Sequence, residues 1–166
     1  RLTLWNNRKM SKIGNSVQAC VSWMPCHNGQ IPHNAIEVGG GVFIARANIE
    51  GCMTPGKAAH GHECGFFAHG GDEHCINSCE VLVDTGLHAF GSEHHWEYAC
   101  DGNVPKRALV GGYICGSNEP MYVARAQIDG DWVAGKVAGS HNCGFFPYGG
   151  KEHILREYEV FCLDKC

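Results

Sequence analysis

One stretch of the chain, GVFIARANI, alternates between two sets of side chains with the period of two that a β-strand gives. Phe43, Ala45 and Ala47 fall on one face of this predicted strand, and a second stretch, MYVARAQI, repeats the pattern from Met121. Because alanine is small, a face rich in alanine lets another layer approach closely. The pattern therefore predicts two equivalent strands whose alanine faces are covered.

The opposite face of each predicted strand carries an arginine among apolar residues. On this face Arg46 is the neighbour of Ile44, and Arg125 is the neighbour of Val123 in the equivalent strand. Arginine is seldom placed among apolar side chains without a partner that accepts its hydrogen bonds. Both arginines are therefore predicted to have a structural role, each with a carboxylate or a carbonyl group as its partner.

The two strands belong to a longer internal repeat. The segment HECGFFAHGGDEH, which begins at His62, recurs as HNCGFFPYGGKEH from His141, with nine of 13 positions identical. Earlier positions also correspond, such as Trp23 with Trp96, until six extra residues around 113–118 change the offset from 73 to 79. The chain is one unit used twice.

The repeat divides the chain into four predicted parts and one fold class. An extension at 1–16 precedes a first repeat at 17–84, a linker at 85–93 and a second repeat at 94–166. Short β-type runs and glycine turns predominate, and no helical apolar stripe is present. The segment HILREYEVF favours strand because it is β-branched and aromatic and aligns with the strand-like CEVLV. The predicted class is all-β.

Composition narrows the function. The chain of 166 residues has a formal net charge of -4 and no basic stripe, which argues against nucleic acid as a partner. No apolar run approaches the roughly 18 residues that a membrane span requires. The 23 glycines agree with many turns.

Eleven cysteines indicate an oxidising compartment, so we expect a secreted protein, and Arg1 in place of Met fits a mature form. The odd number leaves one thiol free or paired between chains. Cys75 with Cys79, and Cys162 with Cys166, are close enough in sequence to form local bridges. We expect reduction to lower stability sharply without abolishing the fold.

The recurring elements resemble a known family. They are Trp, Gly-x-x-Pro-x-x-Ala, aromatic-(Ile/Val)-Ala-Arg-Ala, Pro-Gly-Lys, Gly-Gly-x-Glu-His and Tyr-Glu-Val, and together they resemble the DM9 repeat in tandem. The mannose-specific DM9 lectins of oysters are similar, and some family members resemble the N-terminal part of natterin-like toxins. The resemblance implies two antiparallel β domains related by a pseudo-twofold axis, a homodimer, and recognition of mannose-type glycans in innate immunity.

The resemblance also implies site residues. In the lectins a sugar is held by the lysine of Pro-Gly-Lys, which corresponds to Lys57 and Lys136, and by an aspartate after a Gly-Tyr pair. Here Gly112-Tyr113 is followed by Ile-Cys-Gly, so the aspartate is missing. Asn118 or Glu119 is the candidate replacement.

The residues support a sugar site independently of the resemblance. Lysine brings three donors and a carboxylate about four acceptor positions, so Lys57 with Glu73 suits vicinal hydroxyl groups. His74 follows Glu73 and would point the opposite way on a strand, so one of the two is expected to reach the ligand. Gly56 is predicted to form a positive-φ turn that directs Lys57 outward. The equivalent candidates in the second repeat are Lys136, Glu152 and His153.

Two other classes of protein remain open, and an enzyme is not expected. A strand would place His60, His62 and Cys64 on one face, which is a ligand set that zinc accepts. A disulfide-stapled structural or matrix protein without sugar binding is the other alternative. No pair of carboxylates recurs in both repeats, as two equal hydrolase sites would need. No cofactor is expected.

Overall fold

The computed structural model describes residues 20–86 and 94–164, and these residues form strands, turns and loops without a helix. The predicted extension at 1–16, most of the linker and Cys166 lie outside the described residues. The all-β prediction is confirmed. The strands of the first repeat are β1 Val21–His27, β2 Glu37–Gly39, β3 Val42–Ile49, β4 Cys52–Ala59, β5 Gly65–His69, β6 Asp72–Ile76 and β7 Ser78–Asp84. Those of the second are β8 His94–Cys100, β9 Val110–Tyr113, β10 Pro120–Ile128, β11 Asp131–Val137, β12 Gly144–Tyr148, β13 Lys151–Leu155 and β14 Glu157–Leu163.

All strand pairings are antiparallel, and the two repeats join edge to edge. The order along the sheet is β1-β7-β3-β4-β5-β6-β13-β12-β11-β10-β14-β8, with β2 on β3 and β9 on β10. The order reads alike from both ends, as a pseudo-twofold axis between β6 and β13 requires. At this junction Asp72 pairs with Lys151, the amide of Glu73 donates to the carbonyl of Gly150, and the amide of Glu152 donates to that of Gly71.

Glycine pairs close the hairpins next to that axis. Gly70 and Gly71 have φ of 62° and 94°, and Gly149 and Gly150 have 61° and 83°. Positive φ at both central residues is the geometry of the tight hairpin turn that matches strand twist. The glycine turns predicted between short strands are thus confirmed at these two pairs. The segment predicted as strand, HILREYEVF, forms parts of β13 and β14.

The prediction of a turn at Pro-Gly-Lys is wrong. Gly56 lies in the middle of β4 and Gly135 in the middle of β11, each without a positive φ. A Cβ atom at Gly56 would collide with the carbonyl oxygen of Phe66, and one at Gly135 with that of Phe145. Glycine is required there because neighbouring backbone lies close, and the following lysine points into the protein instead of outward.

The hydrophobic core consists of one cluster within each repeat and a third cluster to which both repeats contribute. Ala45 and Ala47 pack with Phe67 and Val81 in the first repeat, so the covered alanine face is confirmed. The shared cluster combines side chains that no single repeat could bury alone. It contains Ile36, Val38, Ile44, Leu82, Val123, Ala134 and Phe161.

The two strand arginines also connect the repeats. Arg46 donates to Glu80 at 2.5 Å and to the carbonyl of Gly111 at 3.4 Å. Arg125 donates to Glu159 at 2.6 Å and to the carbonyl of Val38 at 2.9 Å. Each guanidinium group therefore binds a carboxylate of its own repeat and a carbonyl of the other. The predicted structural role is confirmed.

Two disulfides are present among the described residues. Cys52–Cys115 links β4 to the loop after β9, and Cys64–Cys75 links the approach to β5 with β6. The predicted Cys75–Cys79 bridge is wrong, because β6 pairs with β5 whereas β7 pairs with β1 and β3. Cys79 is buried and lies opposite Cys26 on β1. No helix in the described part of the chain is long and apolar enough to cross a membrane.

Candidate functional site

Lys57 extends from β4 towards the second repeat. Its ammonium group donates to the carbonyl of Pro147 at 2.5 Å and lies 3.2 Å from Oε2 of Glu73 on β6. The other oxygen of Glu73 accepts a hydrogen bond from the amide of Gly150 at 3.1 Å. The lysine–glutamate pair predicted from the sequence is therefore formed, and both members reach across the pseudo-twofold axis.

The second repeat repeats this frame. Lys136 donates to the carbonyl of Ala68 at 2.5 Å, and Glu152 accepts a hydrogen bond from the amide of Gly71 at 3.2 Å. Both predicted lysines and both predicted glutamates thus occupy equivalent places, but of the two predicted lysine–glutamate pairs only Lys57 with Glu73 forms an ion pair among the described residues. The frame ties the halves of the molecule together, so these four residues have a structural role whatever they bind.

Burial lowers the pKa of both lysines. Desolvation lowers the pKa of Lys57 below its ordinary value, and the charge of Glu73 opposes this effect. Desolvation likewise lowers the pKa of Lys136, opposed by Glu152. Oε2 of Glu73 is buried and has no hydrogen-bond partner among the described residues, although it faces the Lys57 ammonium group. The acceptor capacity of this oxygen is directed at the Lys57 ammonium group.

A cleft opens beside Lys57, and we name it the Lys57 cleft. Its volume is about 900 Å³, and residues of both repeats line it. Tyr148 donates its hydroxyl hydrogen to Asp131 at 2.7 Å, and the Lys57 ammonium lies 5.3 Å from the Tyr148 ring centre. The residues that line the cleft include Gly39, Gly40, Gly41, Lys57, His60, His62, Phe66, Glu73, Asp131, Trp132 and Tyr148.

The cleft combines donors, acceptors and aromatic walls. Lys57 donates, and the carboxylates of Glu73 and Asp131 accept. Trp132 packs directly against Gly39, where a Cβ atom would collide with the indole ring. Aromatic faces beside charged groups suit a ligand that has several hydroxyl groups and apolar C–H faces.

The equivalent space in the second repeat, the Lys136 pocket, is much smaller. Its volume is about 210 Å³, and its lining includes Cys52, Cys115, Ile114, Met121, Lys136 and Glu152. The Cys52–Cys115 disulfide lies where Asp131 lies in the Lys57 cleft, because Cys52 is the counterpart of Asp131 in the repeat. His69 takes the place of Tyr148.

The two predicted histidines, His74 and His153, form hydrogen bonds within their own hairpins. His74 shares a hydrogen bond of 2.9 Å with the carbonyl of His69, and His153 shares one of 3.0 Å with the carbonyl of Tyr148. Neither histidine is among the residues that line the two spaces. The expectation that only one residue of each Glu-His pair points to the site agrees with this placement, and that residue is the glutamate.

Asn118 and Glu119, the predicted substitutes for a missing aspartate, lie elsewhere. Asn118 adopts a positive φ of 56° in a turn, and its amide donates to the carbonyl of Ile114. Glu119 accepts a hydrogen bond from the amide of Ser140 at 2.7 Å, and hydrogen bonding to Ser140 lowers the pKa of its carboxyl group. Neither residue lines the Lys57 cleft or the Lys136 pocket. Glu119 holds the inserted loop against the turn at Ser140, and Asn118 closes a turn within that loop.

The predicted zinc ligand set is not assembled. Cys64 is bonded to Cys75, so it has no thiolate to offer. β4 ends at Ala59, so His60 and His62 lie in the following turn and not on a strand with Cys64. His60 packs against Phe43 and His62 against Phe66, with ring centres 5.2 and 5.3 Å apart. Both histidines border the Lys57 cleft instead.

Sequence reasoning missed Asp131, Trp132 and Tyr148. All three belong to the second repeat and follow Lys57 by more than about 70 residues. A carboxylate in the Lys57 cleft is therefore supplied by the other repeat. The sequence does contain one signal, which is a difference between the repeats. Asp131 and Trp132 follow a glycine turn at the positions where the first repeat has Cys52 and Met53.

Comparison with known proteins identifies the same tandem repeat that the sequence shows. A family model described as "DM9 repeat" matches residues 38–155 and 117–165. Natterin-3 of Thalassophryne nattereri is 25% identical over 139 residues, which cover 82% of this chain and 34% of that protein. The chain thus spans about a third of the length of this curated relative.

A solved structure shares the fold. The crystal structure of the nematode sperm cell motility protein MFP2B matches with a TM-score of 0.61 and 15% sequence identity. The match covers 92% of this chain and 49% of that one. At this identity the similarity concerns the fold alone.

Proposed function

The chain belongs to the DM9 repeat family, and on that premise we propose that it is a secreted carbohydrate-binding protein, a lectin. Its ligands are mannose or mannose-rich glycans, and its principal site is the Lys57 cleft. The observation that carries this proposal is the convergence of Lys57, Glu73 and Asp131 beside Trp132 and Tyr148 in one cleft.

A pyranose matches this set of groups. Its vicinal hydroxyl groups can accept from the ammonium of Lys57 and donate to Glu73 or Asp131. Its apolar C–H face can pack on an aromatic ring. Hydrogen bonds to charged groups contribute roughly 1.5–3 kcal/mol each. The choice of mannose rests on the family resemblance, and the cleft supports a sugar more generally.

The proposed activity is binding without catalysis. Glu73 is held by Lys57 and the amide of Gly150, and Asp131 by the hydroxyl of Tyr148. Both carboxylates are thus engaged by groups of the protein itself, whereas a glycosidase needs a pair of carboxyl groups that act on the scissile bond. Incubation with mannose-rich oligosaccharides should therefore leave their chain length unchanged.

Valency and location complete the proposal. A homodimer would present two clefts, and two linked weak sites raise avidity without any new contact. The two disulfides agree with an oxidising compartment outside the cytosol. Recognition of mannose-rich surfaces in innate immunity is the role that this combination suits.

A glycan array tests the function. We expect binding to mannose-terminated glycans, and loss of that binding in Lys57→Met, which keeps the apolar stem of the side chain but removes its charge. A Lys136→Met variant controls for the structural part of the effect, because Lys136 makes the equivalent hydrogen bond to a carbonyl of the other repeat. Absence of binding to any glycan at ligand concentrations of about 10 mM, or unchanged binding in Lys57→Met, would contradict the proposal.

A structural or matrix role is the second candidate. The observation that favours it is the Cys52–Cys115 disulfide, which joins the repeats and occupies one of the two potential sites. A protein of this kind would bind no glycan on the array and would still resist unfolding under oxidising conditions. The array therefore separates the two candidates.

A further inference from the structure

A separate cluster of metal-binding side chains lies at the outer edge of the second repeat. It consists of His95 and Glu97 on the edge strand β8, and Cys162 on the neighbouring strand β14. One ligand atom from each of the three residues lies within 4.8 Å of the others. Since His95 pairs directly with Cys162 in the antiparallel register, their side chains project from the same side of the sheet.

The histidine of this cluster is oriented by a carboxylate. Nδ1 of His95 lies 2.6 Å from Oδ1 of Asp164, while its Nε2 lies 3.4 Å from Oε2 of Glu97. A histidine that ligates a metal through one ring nitrogen usually bonds a carboxylate through the other, which fixes its tautomer and its orientation. Asp164 places His95 in that arrangement, with Nε2 directed to the cluster.

The surroundings suit an ion that enters from solvent. The side chains of His95 and Glu97 are 45% and 54% exposed, whereas Cys162 is fully buried beneath them. Among the described residues Cys162 is an unbridged cysteine, and its sulfur makes a long contact of 3.6 Å with the carbonyl of Val160. An ion between the sulfur and the two exposed groups would therefore reach all three without opening the core.

The first repeat shows that the fold does not require these residues. The positions equivalent to His95, Glu97 and Cys162 carry Ser22, Met24 and Val83, none of which is a usual zinc ligand. Two edge strands with the same architecture thus differ in this one feature. The second repeat has three potential ligands and an orienting carboxylate at positions where the first has none.

We propose that His95, Glu97 and Cys162 bind a zinc-class divalent cation, with Asp164 as the positioning residue for His95. Imidazole, carboxylate and thiolate together are a ligand set that zinc accepts, and three protein ligands leave a fourth position for water or an external ligand. On binding, the sulfur–metal bond replaces the S–H bond, and the proton leaves to solvent. The ion pins the edge strand β8 to β14. This proposal is independent of sugar binding.

The test uses the full chain, stripped with a chelator and then dialysed against Zn²⁺ or Co²⁺. We expect about one equivalent of metal per chain. Bound Co²⁺ should show a thiolate-to-metal charge-transfer band in the near ultraviolet. Cys162→Val, which installs the residue of the first repeat, should remove the band and weaken binding at least about tenfold. Asp164→Asn should keep the band but weaken binding by about tenfold.

Two controls keep the test decisive. Cys143→Ser alters an unbridged cysteine elsewhere and should leave both band and affinity unchanged. His95→Ser acts at an exposed position, so it tests the same site should Cys162→Val fail to fold. Uptake below about 0.2 equivalents would overturn the proposal. So would a charge-transfer band that persists in Cys162→Val, or unchanged affinity in His95→Ser.

Discussion

The Lys57 cleft and the Lys136 pocket are built on the same frame and differ at their rims. In both, a buried lysine donates to a carbonyl of the other repeat, and a glutamate accepts from an amide across the axis. Their volumes are nevertheless about 900 and 210 Å³. The frame that the two repeats share is therefore not sufficient for a binding site, because the residues at the rim determine whether a ligand can enter.

Two changes account for the difference. Beside the Lys57 cleft the chain reads Gly39-Gly40-Gly41, which adds no side chains, whereas the other pocket is lined by Ile114 and Cys115 of the inserted loop. In addition, the cleft has Asp131 where the pocket has a disulfide. Duplication supplied one frame for two places, and divergence of the loops left one place open.

The largest expected effect concerns the disulfide that fills the Lys136 pocket. Replacing Cys52 and Cys115 by Ser should lower the free energy of unfolding by about 4 kcal/mol, because the bridge spans 63 residues. Glycan affinity should stay within about twofold, since the Lys57 cleft keeps its residues. Urea unfolding and a binding titration measure the two quantities. The matching double variant of Cys64 and Cys75 should cost less, about 3 kcal/mol, because its loop has 11 residues.

The second prediction separates the two lysines. Lys57→Met should weaken glycan binding by roughly 10- to 100-fold, because charged hydrogen bonds to the sugar are lost. Lys136→Met should change affinity by less than about twofold, although it removes an equivalent structural contact. Titration of both variants with one mannose-rich oligosaccharide makes the comparison. Equal losses in the two variants would show that the frame, and not the cleft, controls binding.

A third prediction concerns the acceptor that only the Lys57 cleft has. Asp131→Asn keeps an oxygen that can accept from Tyr148 but removes the charge, so affinity should fall by about 3- to 10-fold. Asp129→Asn is the matched control, because Asp129 is exposed in the preceding turn and its positive φ of 52° suits asparagine. The same titration measures both. An equal effect of the two substitutions would remove Asp131 from the site.

The smallest expected effect is a dependence on alkaline pH. Burial lowers the pKa of Lys57 and of Lys136 below 10.5 in the folded protein. At pH values between each lowered pKa and 10.5, the unfolded chain binds more protons than the folded protein does. Both lysines therefore make the free energy of unfolding increase as pH rises through this range. Sugar binding should fall in the same range, because the Lys57 ammonium group is lost. Lys136→Met should keep this fall in binding, whereas binding that is level up to pH 10.5 would contradict the role of Lys57.

The sequence predicted the features that the duplication repeats. Strands such as Val42–Ile49, the Gly70-Gly71 turn and the partners of Arg46 follow from local pattern and from agreement between the copies. The role of Gly56 was not predictable, because the backbone that crowds it comes from another strand. Asp131 was missed for a similar reason, since it meets Lys57 only when the second repeat packs on the first. Such contacts are not visible in the pattern of one repeat alone, and the sequence signal at Asp131 is found only by comparing the two repeats.

The most direct test of the account is an amide and indole NMR titration with a soluble mannoside. Ligand in the Lys57 cleft should shift the indole N–H of Trp132 and the amides of Gly39, Gly40 and Gly41, which line it. The amides of Gly70 and Cys115, which line the Lys136 pocket, should stay in place. Shifts confined to the Lys136 pocket, or equal shifts at both places, would contradict the claim that the open cleft is the sugar site.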